Sequence, residues 1–418
     1  MNNATLINIG DELLLGQVVN TNASTMSRLL TGAGFEVRRV VTVGDSLDEI
    51  KQAIGAAMRE SDAVLVTGGL GPTKDDITKQ ALCEHTGSSL MESPVALENV
   101  RRLFALRGFE LTPVNRAQAL VPECCTVLNN DVGTAPCMWF EQEGRVLVSM
   151  PGVPFEMEWL MEHRVLPRLQ SHFTTEAIVN KNILVQGIGE SFLSDLVEPW
   201  ELALPPHIRL AYLPQAGMVK MRLTGRSPQA ARAELVAEIE RQAAALRQMA
   251  GQYIVGEDCE SLEELVHRTL TRRGLTLATA ESCTGGAIAS RLTAMAGASA
   301  YFMGGVVAYS NEVKESQLGV SQSTLATHGA VSEQTAREMA EGARRRLGAD
   351  LAIATTGIAG PDGGTEEKPV GTVWIAVSDH SRTEATLLQY AGRQRQQNIE
   401  RTANQAFSML MHMLCRED

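Results

Sequence analysis

Aromatic residues are scarce in this sequence: Phe, Trp and Tyr make up 4% of its 418 positions, so its cores must be built from Leu, Ile, Val, Ala and Met. Basic charge is also short. Lys and Arg number 37 against 49 Asp and Glu, a formal net charge of -12. With no long basic run to compensate, a general binder of nucleic-acid backbone is excluded, while a local anion site stays open. CxxC pairs and an HExxH motif are absent. The seven cysteines (Cys83, Cys124, Cys125, Cys137, Cys259, Cys283, Cys415) are odd in number and scattered, which argues against zinc ligation and a disulfide framework. No apolar run approaches the ~18 residues that span a bilayer. The opening MNNATLINIGDELL has no basic region leading into a secretory apolar stretch. A soluble, reduced, cytoplasmic protein is expected.

What is present is ordinary globular material, 44% hydrophobic and 21% charged, long enough for two or three domains. Short apolar runs (Thr5–Ile9, Glu36–Val43, Asp62–Thr67) alternate with helical patterns (Asn22–Thr31, Leu47–Arg59, about Asp75–Thr86). Such alternation predicts a parallel sheet with helices on both faces. Ser93-Pro94 and Thr112-Pro113 read as N-caps followed by Pro at the first helical position. From about Thr174 the texture changes to two strands and the long Ala230–Met249 helix, a small α+β module. A capping box, Ser261-Leu-Glu-Glu264, then reopens strand–helix alternation through to a closing helix at about Gln397–Leu414. The expected organisation is two three-layer α/β domains with mainly parallel sheets, 1–173 and 257–418, joined by the α+β module at 174–256.

Two turns carry chemistry. In the first, Val64–Val66 runs into Thr67-Gly68-Gly69-Leu70-Gly71-Pro72-Thr73-Lys74-Asp75-Asp76. A glycine-rich turn between strand and helix lets backbone N–H groups approach an anion, and adjacent acids would suit a cation bridging phosphate oxygens. Plain N-capping by Thr73 with dipole-friendly aspartates explains the same residues. In the second, Thr279-Ala-Glu-Ser282-Cys283-Thr284-Gly285-Gly286 follows an apolar strand and precedes a helix. Ser282 there is either an N-cap or a nucleophile beside free helix N–H groups. Cys283 competes for the second role without a visible His partner, and His328, ahead of a glycine turn, reads as structural.

Resemblance sharpens both turns. GDELLLGQVVNTN (Gly10–Asn22), GGLGPTKDD (Gly68–Asp76) and MPGVPFEM (Met150–Met157), in this order, resemble the molybdopterin-binding-like domain of the CinA family, the competence/damage-inducible proteins. Residues 257–418 are similar to that family's carboxy-terminal nicotinamide-nucleotide amidohydrolase domain. The match rests on Thr279–Gly286, Gly305–Lys314, His328–Ser332 and Leu351–Thr372. For the amino-terminal domain the resemblance implies metal-dependent ADP-ribose pyrophosphatase activity, with Mg²⁺ or a similar divalent cation. Asp76 and Asp45 match acidic positions of the relatives, and Asp75 joins them as a tentative ligand. Gly68, Gly69, Gly71 and Lys74 would hold phosphate, with Glu156 and Asp11-Glu12 as weaker members.

For the carboxy-terminal domain it implies deamidation of nicotinamide mononucleotide, with no cofactor. Ser282 would be the nucleophile, Lys314 its base and Tyr309 an orienting or relaying group. Gly285 and Gly286 would sit near the oxyanion, and Thr355, Thr356 and Gly357 would contact phosphate or ribose. Arg393 or Arg395 would grip the phosphate; the stretch Tyr390-Ala-Gly392-Arg393-Gln394-Arg395 lacks the aspartate often found after its glycine, so the register stays open between them. The resemblance also implies a homodimer and a KH-like middle module. The acidic balance gives no reason to expect nucleic acid as a partner, and no membrane partner is expected. Two other readings stand beside this bifunctional salvage hydrolase: a molybdopterin-type ligand-binding protein, and a non-catalytic nucleotide-binding or competence-associated scaffold.

Overall fold

A computed structural model describes residues 2–71, 73, 76–392 and 394–415, the last by its backbone alone. It divides into two compact units, Met1–Val179 with Gly225–Ala237, and Asn180–Thr224 with Glu238–Asp418.

The first unit is built on a six-stranded sheet. Its order is Glu36–Val43, Asn3–Ile9, Ala63–Thr67, Arg145–Met150, Cys137–Gln142, Thr126–Leu128. The first four strands run parallel and the last two pair antiparallel. The central strands are apolar on both sides because helices cover both faces. Ala4, Leu6 and Leu65 pack with Met26, Leu30 and Leu160, while Ile7, Val64 and Val66 pack with Ile50, Ile54 and Leu82. Sequence reading missed the Cys137–Gln142 strand. Its hairpin turns on Glu143 and Gly144, both at positive φ (52° and 77°), the backbone of a tight two-residue turn but without the usual Asn or Asp before Gly. The caps at Ser93 and Thr112 are in place, their hydroxyls accepting from the N–H of Ala96 (3.3 Å) and Asn115 (3.2 Å).

The middle stretch forms a four-stranded sheet in the order Ile208–Gln215, Met218–Pro228, Glu176–Gln186, Ile254–Glu257. It includes helices Glu190–Leu202 and Arg232–Ala250, so it has two strands and one helix more than the sequence suggested. Lys181, 3% exposed, anchors it by reaching carboxylates of Glu240 (2.8 Å), Asp258 (2.9 Å) and Glu257 (3.3 Å).

The carboxy-terminal sheet has the order Phe302–Val307, Leu277–Glu281, Leu351–Gly357, Thr372–Ser378, Thr383–Gln389. Three strands are parallel; the last two pair antiparallel, so the sheet is mixed rather than mainly parallel. One face is large and apolar (Leu277, Ile353, Val373, Ile375) and packs with Phe407 and Leu410 of the Arg395–Cys415 helix. The other is lined by Ala278, Ala280, Ala352, Ala354 and Ala376, which lets helix Glu333–Leu347 lie close. That helix brings Gly342 against the Asn311–Leu318 helix: a Cβ on Gly342 would sit 1.8 Å from the Leu318 carbonyl oxygen. Among the described residues, no helix is long and apolar enough to cross a membrane.

Candidate functional sites

In each unit, parallel strands end together and their following loops share one sheet edge, where ligands of open α/β sheets bind. In the amino-terminal unit these loops enclose a cavity of about 450 Å³. Its wall includes Gly68, Gly69 and Gly71, and the acids Glu12, Asp45, Asp76 and Glu156. Gly68 is required by geometry: its φ is +109°, and a Cβ would lie 2.2 Å from the Ile9 carbonyl oxygen. The turn is braced by Thr67 Oγ1 donating to the Pro151 carbonyl (2.7 Å) and Thr78 Oγ1 to that of Gly68 (3.0 Å).

The helix beyond this turn begins at Thr78, three residues later than expected, with Ile77 rather than Thr73 at the cap position. Asp76 organises the loop. Its carboxylate accepts the N–H groups of Gly71 (2.7 Å) and Thr73 (2.8 Å) and the Thr73 hydroxyl. Asp45 accepts the Asp11 N–H (3.0 Å), and Asp11 returns the contact to the Asp45 N–H (3.1 Å). Among the described residues, no group of three His, Cys, Asp or Glu side chains gathers that could hold a metal ion; of the expected ligands, Asp45 and Asp76 both line the cavity. Asp75 and Lys74 lie outside the described residues.

Glu156, expected only as a weaker member, lines this cavity, and Lys79 beside it was not expected at all. Glu156 is bound by the Asn130 amide (2.7 Å), yet burial pushes its carboxyl upward, against that hydrogen bond and the Arg107 charge. Lys79 donates to the Gln118 carbonyl (2.8 Å), and Gln118 lines the cavity. Burial lowers its amine to about 8, opposed by the Asp76 charge.

The carboxy-terminal cavity, about 310 Å³, is lined by Ser282, Cys283, Tyr309, Lys314, Thr356, Gly357 and Arg395, with parts of loops 330–331 and 358–363. Ser282 (9% exposed) and Lys314 (2%) meet here, Nζ to Oγ 3.1 Å. Lys314 comes from the first turns of the Asn311–Leu318 helix, capped by Ser310, and its Nζ also reaches the Ala308 carbonyl at 2.8 Å. Burial draws its pKa below the usual 10.5, which favours the neutral amine a base needs. The buried Cys283 thiol is pushed up to about 12, chiefly by burial, which disfavours its reactive thiolate.

Other expected positions are placed differently. The Gly285 N–H goes to the Ser282 carbonyl (3.1 Å) and the Gly286 N–H to the Glu281 carboxylate (3.1 Å), so neither is available to an oxyanion. Thr355 is buried with its hydroxyl on Thr284 (2.7 Å) and its carbonyl on the Ser282 N–H (2.9 Å), away from the cavity wall. Thr356 lines the wall while donating to the Ala330 carbonyl (2.6 Å). Tyr309 is open to solvent and its hydroxyl accepts from Arg395 (3.1 Å). Arg395 also reaches the Gly360 carbonyl (3.1 Å). Asn398, one turn on, ties the helix start to that loop through the Ala359 carbonyl (2.9 Å). Arg393 lies outside the described residues. The His328 carbonyl accepts from Lys368 (2.8 Å), a loop-bracing role.

Three family models divide the chain among them: "Probable molybdopterin binding domain" over 5–171, "Damage-inducible protein CinA KH domain" over 180–256 and "CinA C-terminal domain" over 259–414. A CinA-like protein of Cytophaga hutchinsonii is 44% identical over 411 residues, covering 98% of both chains. Another, of Chloroherpeton thalassium, is 43% identical over 98% of this chain and 99% of its own. Among solved structures, the competence/damage inducible protein CihA from Agrobacterium tumefaciens is 44% identical over 37% of this chain and 95% of its own, with a TM-score of 0.36.

Proposed function

The chain belongs to the CinA family, and on that premise we propose that its carboxy-terminal cavity hydrolyses the carboxamide of nicotinamide mononucleotide. The carrying observation is the buried Ser282–Lys314 pair, 3.1 Å apart at the wall of a nucleotide-sized cavity.

In this reading the neutral Lys314 amine takes the Ser282 proton as Oγ bonds to the carboxamide carbon. Lys314 returns that proton to the amide nitrogen, the C–N bond breaks, and ammonia leaves an ester on Ser282. Water, deprotonated by the same amine, then adds to the ester. The C–Oγ bond breaks, Oγ regains its proton, and nicotinate mononucleotide departs. Arg395 supplies positive charge to the phosphate end of the cavity, beside Tyr309.

For the amino-terminal cavity we propose a diphosphate nucleotide of the ADP-ribose type, favoured by its 450 Å³ volume and the Gly68–Gly71 turn. Hydrolysis there would yield AMP and ribose 5-phosphate. Asp45 and Asp76, on the cavity wall, are the described residues that would hold a divalent cation there, and no step is routed through it.

Offering the two nucleotides separately to pure protein, with and without chelator, tests both readings. Ammonia from nicotinamide mononucleotide should appear regardless of chelator and vanish in Ser282→Ala. Its absence from the unmodified protein would refute the deamidase. AMP from ADP-ribose should survive Ser282→Ala; bound but uncleaved ADP-ribose would reduce the first cavity to a binding site, and tight binding of a pterin instead would favour a molybdopterin-type binder.

A further inference from the structure

Immediately before the nucleophile stands Glu281, the last residue of the Leu277–Glu281 strand and 1% exposed. A carboxylate so buried is costly unless its oxygens are met by donors. Here four donors meet them: the Thr284 hydroxyl (2.7 Å) and the N–H groups of Gly286 (3.1 Å), Ile288 (3.0 Å) and Ala289 (2.8 Å). Thr284 in turn shares a hydrogen bond with Thr355, at 2.7 Å. The Ala287–Thr293 helix has no side-chain cap at Gly286, so Glu281 performs that task from five to eight residues upstream. An ordinary Ser or Asp at the cap position would satisfy these N–H groups for stability alone. A carboxylate reaching from the strand end instead closes residues 281–289 into one braced loop, with Ser282 inside it.

We propose that Glu281 is a positioning residue for the reaction, holding the Ser282 turn so that Oγ faces Lys314. It makes no contact with substrate. Its carboxylate fixes the near end of the pair, while the Ala308 carbonyl fixes Lys314 from the other side. Loosening the loop separates the two groups, and an angstrom-scale misplacement of a reacting atom costs up to ~100-fold in rate.

This inference rests on the deamidase reading, and the test separates the two. Ammonia release from nicotinamide mononucleotide is measured for the full chain, for Glu281→Gln and for Thr284→Val, each well below its melting temperature. Glu281→Gln keeps the shape but turns an NH2 group toward backbone donors. A kcat lowered ~10–100-fold with KM within about twofold is expected, with a smaller loss of the same kind in Thr284→Val, which removes one donor. Should Glu281→Gln melt earlier yet keep full kcat, the residue is only a structural cap and the proposal fails. If Glu281→Gln does not fold, Thr284→Val decides on the same kcat-against-KM criterion. Absence of ammonia from the unmodified protein would sink the deamidase reading itself.

Discussion

Replacing Lys314 with Met removes the amine while keeping an unbranched side chain in a site that is 2% exposed. Lys314 makes two hydrogen bonds, to Ser282 Oγ (3.1 Å) and to the Ala308 carbonyl (2.8 Å). Losing them, and leaving a carbonyl unmet, costs about 1–3 kcal/mol. Against this, the variant no longer buries an amine whose pKa is drawn below 10.5 by that burial. The net stability change should therefore stay within about 2 kcal/mol. Activity should not be so lightly affected: a general base contributes roughly 10²–10⁴ in rate, or about 3–5 kcal/mol of barrier.

The assay is ammonia release across pH 6–10, with thermal melts in parallel. In the unmodified protein the rate should rise with pH as Lys314 loses its proton and becomes a base. Stability has a matching sign. Between the lowered folded pKa and 10.5 the unfolded chain binds more protons, so stability gains with pH, and Lys314→Met should lose that slope. A pH-independent rate together with more than a tenth of normal activity in Lys314→Met would refute the Ser–Lys mechanism.

Three further outcomes are expected. Asp76→Ala should destabilise the glycine turn by about 1 kcal/mol, as loss of a cap does, and weaken ADP-ribose binding by calorimetry. Asp76→Asn should recover much of that binding, because its amide oxygen can still accept the Gly71 or Thr73 N–H; no recovery would mean that its charge is needed, as for a metal ligand. Gly342→Ala should push the Asn311–Leu318 helix from its seat, costing about 1–3 kcal/mol and lowering deamidase kcat through Lys314; unchanged melting and kcat would contradict the packing argument. Lys181→Met should cost about 2–3 kcal/mol, less than a fully buried ion group because Glu240 and Asp258 are half exposed. Burial opposes the charge of Lys181, but its three carboxylates outweigh that and raise its pKa above 10.5. Its contribution is thus full below 10.5 and fades as pH rises through the raised value, so melts of the two proteins should converge at high pH.

The parallel strands were legible because they are short and apolar: Ala63–Thr67 lies within one residue of expectation and Glu36–Val43 has the expected bounds. Caps at Ser93, Thr112 and Ser261 were equally plain, since each hydroxyl precedes its N–H partner by three residues. The antiparallel edge strands were not. Thr383–Gln389 is half exposed and carries Glu and Gln among its apolar residues, which weakens the two-residue alternation. At the site, motif order named Ser282 and Lys314, 32 residues apart, because each follows a strand and those two strands are adjacent and parallel. Backbone direction was beyond the motif's reach. The Gly285 N–H turns to the Ser282 carbonyl and that of Gly286 to Glu281, whose reach across eight residues follows from a left-handed turn and not from spacing. Thr355 misled in the same way: alternate residues of a central strand point to opposite faces, and only Thr356 lines the cavity.

The central claim is a covalent ester on Ser282. Rapid acid quench of the protein with nicotinamide mononucleotide, followed by peptide mass spectrometry, measures it directly. The mechanism predicts the nicotinate mononucleotide acyl group on the peptide containing Ser282, accumulating more strongly wherever deacylation is slowed. Steady ammonia release with an unmodified Ser282 peptide at every quench time, and undiminished turnover in Ser282→Ala, would contradict it.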